Sequence, residues 1–100
     1  MTGIIYGKTF ERAENKLKKL VSDYGLYKNI GIKIQEHTRD RWAIELSNGD
    51  IWQALRYTES TTCGRRANIV YIDHELADSE ADINARCVAC APPFQAYNYF

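Results

Sequence analysis

Charge of one sign is what this 100-residue chain most plainly lacks. Its 13 lysines and arginines match its 13 aspartates and glutamates, so no diffuse field draws the molecule onto nucleic acid. Only a local basic patch is left to do that work. Long apolar runs are missing as well: none approaches the ~20 residues of a membrane span. The opening, MTGIIYGKTFERAENK, reaches charged residues too early for a secretory signal, which points to the cytoplasm. Cysteine is scarce and odd in number, at Cys63, Cys87 and Cys90, which argues for reduced thiols and against a disulfide framework. Proline is confined to Pro92-Pro93, and no repeat, low-complexity tract or linker divides the chain. One domain over residues 1–100 is the expectation.

What is present is hydrophobic patterning of two periods. GIIYGK, residues 3–8, is a short β-prone run, and Thr9 after it suits the N-cap of a helix from Phe10 to Asp23. Phe10, Ala13, Leu17, Leu20 and Val21 share one face of that helix, and Tyr24-Gly25 closes it. Ile30, Ile32 and Ile34 alternate, as do Trp42, Ile44 and Leu46, so both segments read as half-buried strands. Asn48-Gly49 predicts a tight primed turn, with DIWQALRY returning as the partner strand of a hairpin over residues 41–57. ANIVYID is nearly continuous in apolar residues and predicts a strand buried on both faces. HELADSEADIN predicts a loop and a short acidic helix, and ARCVACA a last strand or buried segment. The aromatic tail FQAYNYF would be sticky in solvent, so it packs back or onto a second copy. The fold class is therefore α/β: a small mixed sheet of about five strands with an antiparallel hairpin, one main amphipathic helix and a short acidic helix.

Two groups of residues carry candidate chemistry. The buried run ends in Asp73, followed by His74 and Glu75, at the edge where open α/β sheets bind ligands. Before it lies TESTTCGRR, whose Thr58, Ser60, Thr61 and Thr62 offer hydroxyls and whose Arg65 and Arg66 offer planar forks that match phosphate oxygens. Arg56 points the same way from the return strand. This loop reads either as an anion site for a nucleic-acid backbone or nucleotide, or as a solvated edge that keeps the sheet soluble. Trp42 or Trp52 would stack a base if it were exposed, and is core otherwise. Cys87-x-x-Cys90 has zinc-knuckle spacing, with Cys63 and His74 to complete four ligands, but its setting among alanines and valine favours buried thiols. His37 reads as an exposed loop residue. GIIYGKT falls one residue short of a phosphate-binding loop, and its branched and aromatic interior prefers a strand; only Met1 and Thr2 precede it to serve as the lead-in strand.

NGDIWQALRYTESTTCGRRANIVYIDHEL resembles the middle of the ATPase core of phage large terminases and their helicase-like relatives: strand, Asn-Gly turn, return strand, Gly-Arg loop, Walker B strand. IIYGKTFERAENKLKKLV looks like the strand and helix that follow the nucleotide site in that core. The resemblance implies Asp73 as the magnesium-holding Walker B aspartate and Glu75 in place of the catalytic glutamate. In the family that glutamate follows the aspartate directly, whereas His74 intervenes here. Since a domain of this size holds only part of such a core, the reading is a small phage-type, non-catalytic binding module. Its partner is nucleic acid or a protein such as a related ATPase, engaged through Arg56, Thr61, Thr62, Arg65 and Arg66 in the host cytoplasm, with no cofactor. Two alternatives stand beside it. One is a magnesium-dependent nucleotide or phosphodiester hydrolase using Asp73 and Glu75; the other is a structural protein that forms homo-oligomers through its aromatic tail.

Overall fold

A strand that is apolar along its length must be covered on both sides, and TGIIYG meets that requirement by running through the interior of a six-stranded sheet. The computed structural model describes residues 1–22, 32–92 and 95–100, those at 32–34 by backbone alone. The elements are β1 (Thr2–Gly7), α1 (Phe10–Ser22), β2 (Ile32–His37), β3 (Arg41–Leu46), β4 (Ile51–Arg56), β5 (Ile69–Ile72), α2 (Glu80–Val88) and β6 (Ala96–Tyr99). Short 3₁₀ turns at Glu59–Thr61 and His74–Leu76 flank β5. The helix stop at Asp23 to Gly25 and the strand residue Ile30 fall outside the described residues.

Strand order is β2-β3-β4-β1-β5-β6. β1 lies parallel to β4 and β5, and β6 lies parallel to β5, while β3 is antiparallel to both β2 and β4. The mixed α/β fold with its hairpin and two helices is as the sequence predicts. The extra strand is the tail: Phe100 N donates to Ile72 O at 2.9 Å, so part of the aromatic segment packs back as a sheet edge.

The helices divide the two faces. α1 is capped by Thr9, whose Oγ1 accepts from Arg12 N at 3.3 Å, and it buries Ala13, Leu17 and Leu20 against Ile5, Trp42, Ile44, Trp52 and Ala54. Burying a side chain such as Leu17 contributes roughly 1.5–3 kcal/mol. On the opposite face Ala85 and Val88 of α2 pack with Ile4, Tyr6, Leu55, Val70 and Ile72. Both tryptophans are core, Trp52 only 1% exposed, so neither offers a face to a base.

Three local readings change. ARCVACA is not a strand: its first part completes α2, because Ala81, Ala85 and Val88 recur at helical spacing and bury together. That turns Cys87 outward, and Cys63 and Cys87 are exposed free thiols with Cys90 half-buried. The hairpin turn is also not a primed pair. Gly49 alone takes positive φ, at 93°, while Asn48 stays in ordinary space and its side-chain oxygen accepts from Asp50 N at 3.0 Å. With Gly49 N donating to Leu46 O and Leu46 N to Asp50 O, this is a three-residue loop closed by a left-handed glycine.

β6 is held by a buried carboxylate. Asp82 of α2 accepts from Tyr97 Oη at 2.6 Å, Tyr99 Oη at 2.8 Å and Asp78 N at 3.0 Å. Burial alone would raise its pKa, but these donors hold the carboxyl below the usual range.

Gly3 pairs with Trp52 in the β1–β4 register, and a Cβ there would stand 2.4 Å from the indole ring. Gly3→Ala is expected to lower stability by about 1–3 kcal/mol, read as a lower urea midpoint with unchanged slope. An unmoved midpoint would mean that the ring gives way without cost.

Candidate functional site

β5 alternates half-buried and buried positions, Ile72 facing α2, so the next residue, Asp73, turns to the α1 side. There the carboxylate is fully enclosed, its side chain 0% exposed. Oδ2 accepts from Lys8 N at 3.0 Å and from Arg12 Nε; Oδ1 accepts from Arg12 Nη2 at 2.9 Å and Glu75 N at 3.0 Å. Four donors on two oxygens fill the acceptor capacity of a carboxylate. Burial works to raise the carboxyl's pKa, yet the Arg12 fork and the two backbone N–H groups prevail and hold it below the usual range. Glu75, on the surface, reaches Arg12 Nη1 at 3.4 Å. The two carboxylates singled out in the sequence are thus brought together, with one guanidinium between them.

Arg12 is the residue of this corner that sequence reasoning misses. It sits in the first turn of α1 among other off-face polar residues, and nothing local marks it. Its partner lies 61 residues on, reached only because β1 and β5 are parallel neighbours. His74, between the carboxylates, points its Nδ1 to Phe100 O at 2.7 Å and so ties the end of β6 to the same corner.

The hydroxyl and arginine loop lies elsewhere. Thr61 Oγ1 donates to Thr58 O at 2.7 Å and Thr62 Oγ1 to Glu59 O at 3.0 Å, so both hydroxyl protons are spent within the 3₁₀ turn. Tyr6 Oη anchors that turn by donating to Thr61 O at 2.7 Å. The hollow above it, about 550 Å³, is lined by Thr58, Ser60 and Cys63 but also by Glu59, whose charge opposes an anion. Arg65 Nη1 donates to Gln53 Oε1 at 3.0 Å, and Arg41 Nε reaches the same oxygen at 3.4 Å. Gln53 shares its sheet face with Leu55, away from α1, so Arg65 and Asp73 stand on opposite faces of the sheet. Arg56 and Arg66 are exposed, and neither side chain has a hydrogen bond or ion pair among the described residues. The structure therefore separates the acidic corner from Arg65, which the sequence places beside it.

Among the described residues no three His, Cys, Asp or Glu side chains gather as a metal site, and Cys63, Cys87 and Cys90 remain free. His37 is exposed as expected, though in β2, with Nε2 at 2.6 Å from Glu14 Oε2.

The depressed Asp73 carboxyl carries a signed consequence. Its folded pKa lies below the unfolded value of about 3.9, so its stabilisation is present above that pH and is lost as pH falls through the folded pKa. Asp73→Asn is expected to melt well below wild type at pH 7, with the gap closing toward pH 3. A gap of equal size across that range would show that the charge of Asp73 contributes nothing.

In sequence, no protein-family model and no curated protein matches this chain. In structure it is similar to the large terminase of a thermophilic bacteriophage. One crystal form superimposes with a TM-score of 0.61 at 10% identity, and a second, in complex with ADP, with a TM-score of 0.60 at 13% identity. Each match covers 98% of this chain but 25% of that one, so the chain spans a quarter of the length of the structures it matches. What it shares with a phage large terminase is the fold of that quarter.

Proposed function

We propose that the chain is a small phage-type binding module, non-catalytic and terminase-like in fold, that holds nucleic acid on the sheet face opposite α1. The observation that carries this reading is the convergence of Arg41 and Arg65 on one neutral acceptor, Gln53 Oε1. A carboxylate in that place would cancel the charge; an amide orients the two guanidinium planes and leaves their charge for a partner. Glu36 takes a share of Arg41 at 3.4 Å, but Arg65 has no acidic partner among the described residues. Exposed Arg66 follows Arg65 in the same loop, and exposed Arg56 ends β4 beside it.

Two further features favour binding over hydrolysis. The Asp73 oxygens already receive four N–H donors, so a magnesium ion would have to displace Arg12 to use them. Residues 3–9 form a strand and cap where a phosphate loop would need open backbone N–H groups. Among the described residues no helix is long and apolar enough to cross a membrane. The host cytoplasm is the setting this reading assigns. The fold likeness to a large terminase supports the terminase-like part of this reading.

Retention on single- and double-stranded DNA columns at low salt is the test, with Arg65→Ala plus Arg66→Ala as the variant. Wild type should be retained and released by salt; the variant should bind more weakly, its salt slope on duplex smaller by about 2. No retention of wild type would remove nucleic acid and leave a protein partner, such as a related ATPase, for this surface. A magnesium titration, with and without nucleotide, should be silent. A signal abolished by Asp73→Asn would restore the hydrolase that uses Asp73 and Glu75.

A further inference from the structure

α1 packs chiefly on β1 and β4, and among the described residues no helix covers the same face of β5 and β6. Because Tyr97 and Tyr99 turn to Asp82 on the α2 side, Ala96 and Asn98 face the α1 side, next to Tyr71. Along this strip α1 presents Arg12, Asn15, Lys16 and Lys19, and with Phe100 they line a groove of about 370 Å³. Phe100 gives the groove an aromatic floor under a basic wall, in which Lys16 Nζ lies 4.9 Å from the centre of the Tyr71 ring. Arg12 is committed to Asp73 and Glu75, which leaves the charge near Lys19 as the part that faces outward.

The complement of that groove is on the other side of the molecule. The outer face of α2 carries Glu80, Ile83 and Cys87, all exposed, with Asp78 just before it. Ile83 is 66% exposed, more than Met1, Ile51 or Tyr99, the other large exposed hydrophobics among the described residues. Arg86 does not offset the acids there, since it is drawn to Asp82 and Tyr99. Glu80 to Cys87 is a step of seven positions, as is Arg12 to Lys19, about two helical turns or roughly 10 Å. An acidic helix with one apolar knob matches a basic groove with an aromatic floor in sign, length and character.

We infer that this groove receives the outer face of α2 from a second copy of the chain, with Ile83 seated beside Phe100 and Glu80 toward Lys19. Groove and helix lie on opposite faces of one sheet, so the contact is head to tail. Each copy keeps one groove and one helix free for the next, and assembly runs past two chains. This inference does not depend on the arginine surface proposed for nucleic acid, which uses other residues.

Light scattering and sedimentation against concentration test it. The wild-type mass should climb above the 11.5 kDa of one chain and fall back toward it in high salt. The groove variant Asn15→Glu with Lys19→Glu, and the helix variant Glu80→Lys with Ile83→Asp, should each stay at one chain. Mixed in equal amounts they should form pairs and nothing larger, since one intact groove meets one intact helix. The milder Lys19→Ala and Ile83→Ala, safe for folding at these exposed positions, should weaken assembly severalfold. Wild type at one chain throughout, variants that assemble like wild type, or a mixture that stays monomeric would each overturn the inference. So would a wild type that stays monomeric while the groove variant loses DNA retention, for the groove would then take phosphate.

Discussion

The Arg12–Asp73 pair is the constraint on which the molecule turns. A carboxylate with no exposed surface is tolerable only because a guanidinium and two backbone N–H groups meet it, and these come from the β1–α1 junction, α1 itself and the turn after β5. One interaction therefore fixes where α1 begins, how it lies over β1, and how the chain leaves β5. Since α1 is one wall of the groove beside β5 and β6, that wall is positioned by a bond made at its base. The same pair removes Arg12 and Asp73 from the stock of groups free to meet a ligand.

How much of this was legible depended on the range of the contact. The amphipathic face of α1, the alternation in β3 and β4, and the continuous apolar run of β5 are local patterns, and each element formed where its period placed it. ANIVYID also led correctly to an acid at the strand end. What that acid touches was not legible, because Arg12 is a neighbour only through a parallel pairing across the sheet. The same holds for the tail, where Tyr97 and Tyr99 are latched by Asp82, a carboxylate that looks like any other in an acidic stretch. ARCVACA misled for a different reason: alanine and cysteine suit a buried strand as well as a helix, and only Ala81 upstream completes the spacing that decides between them. Asn48-Gly49 signalled a turn correctly but not its type, since an asparagine side chain can satisfy the loop without positive φ.

The resemblance to a terminase core was carried by loose patterns, and the fold agrees with it at an identity too low to transfer chemistry. Where the likeness matters most, the acidic corner after β5, this chain has its own arrangement: two carboxylates with an arginine between them and a histidine holding the sheet edge. Basic side chains lie on both faces of the sheet, Arg41 and Arg65 on one and Arg12, Lys16 and Lys19 of α1 on the other, so a neutral composition conceals local concentrations of charge.

The placement of β1 also governs how the chain comes together. Its partners are Ile51 to Arg56 and Ile69 to Ile72, both far along the sequence, whereas the antiparallel hairpin closes on itself within a few residues. During synthesis β1 emerges with both edges unsatisfied and must wait through α1, β2 and β3 before either is matched. A strand apolar on both faces is thus made well ahead of the strands that will cover its edges, and α1 is the first described element that follows to cover one of its faces.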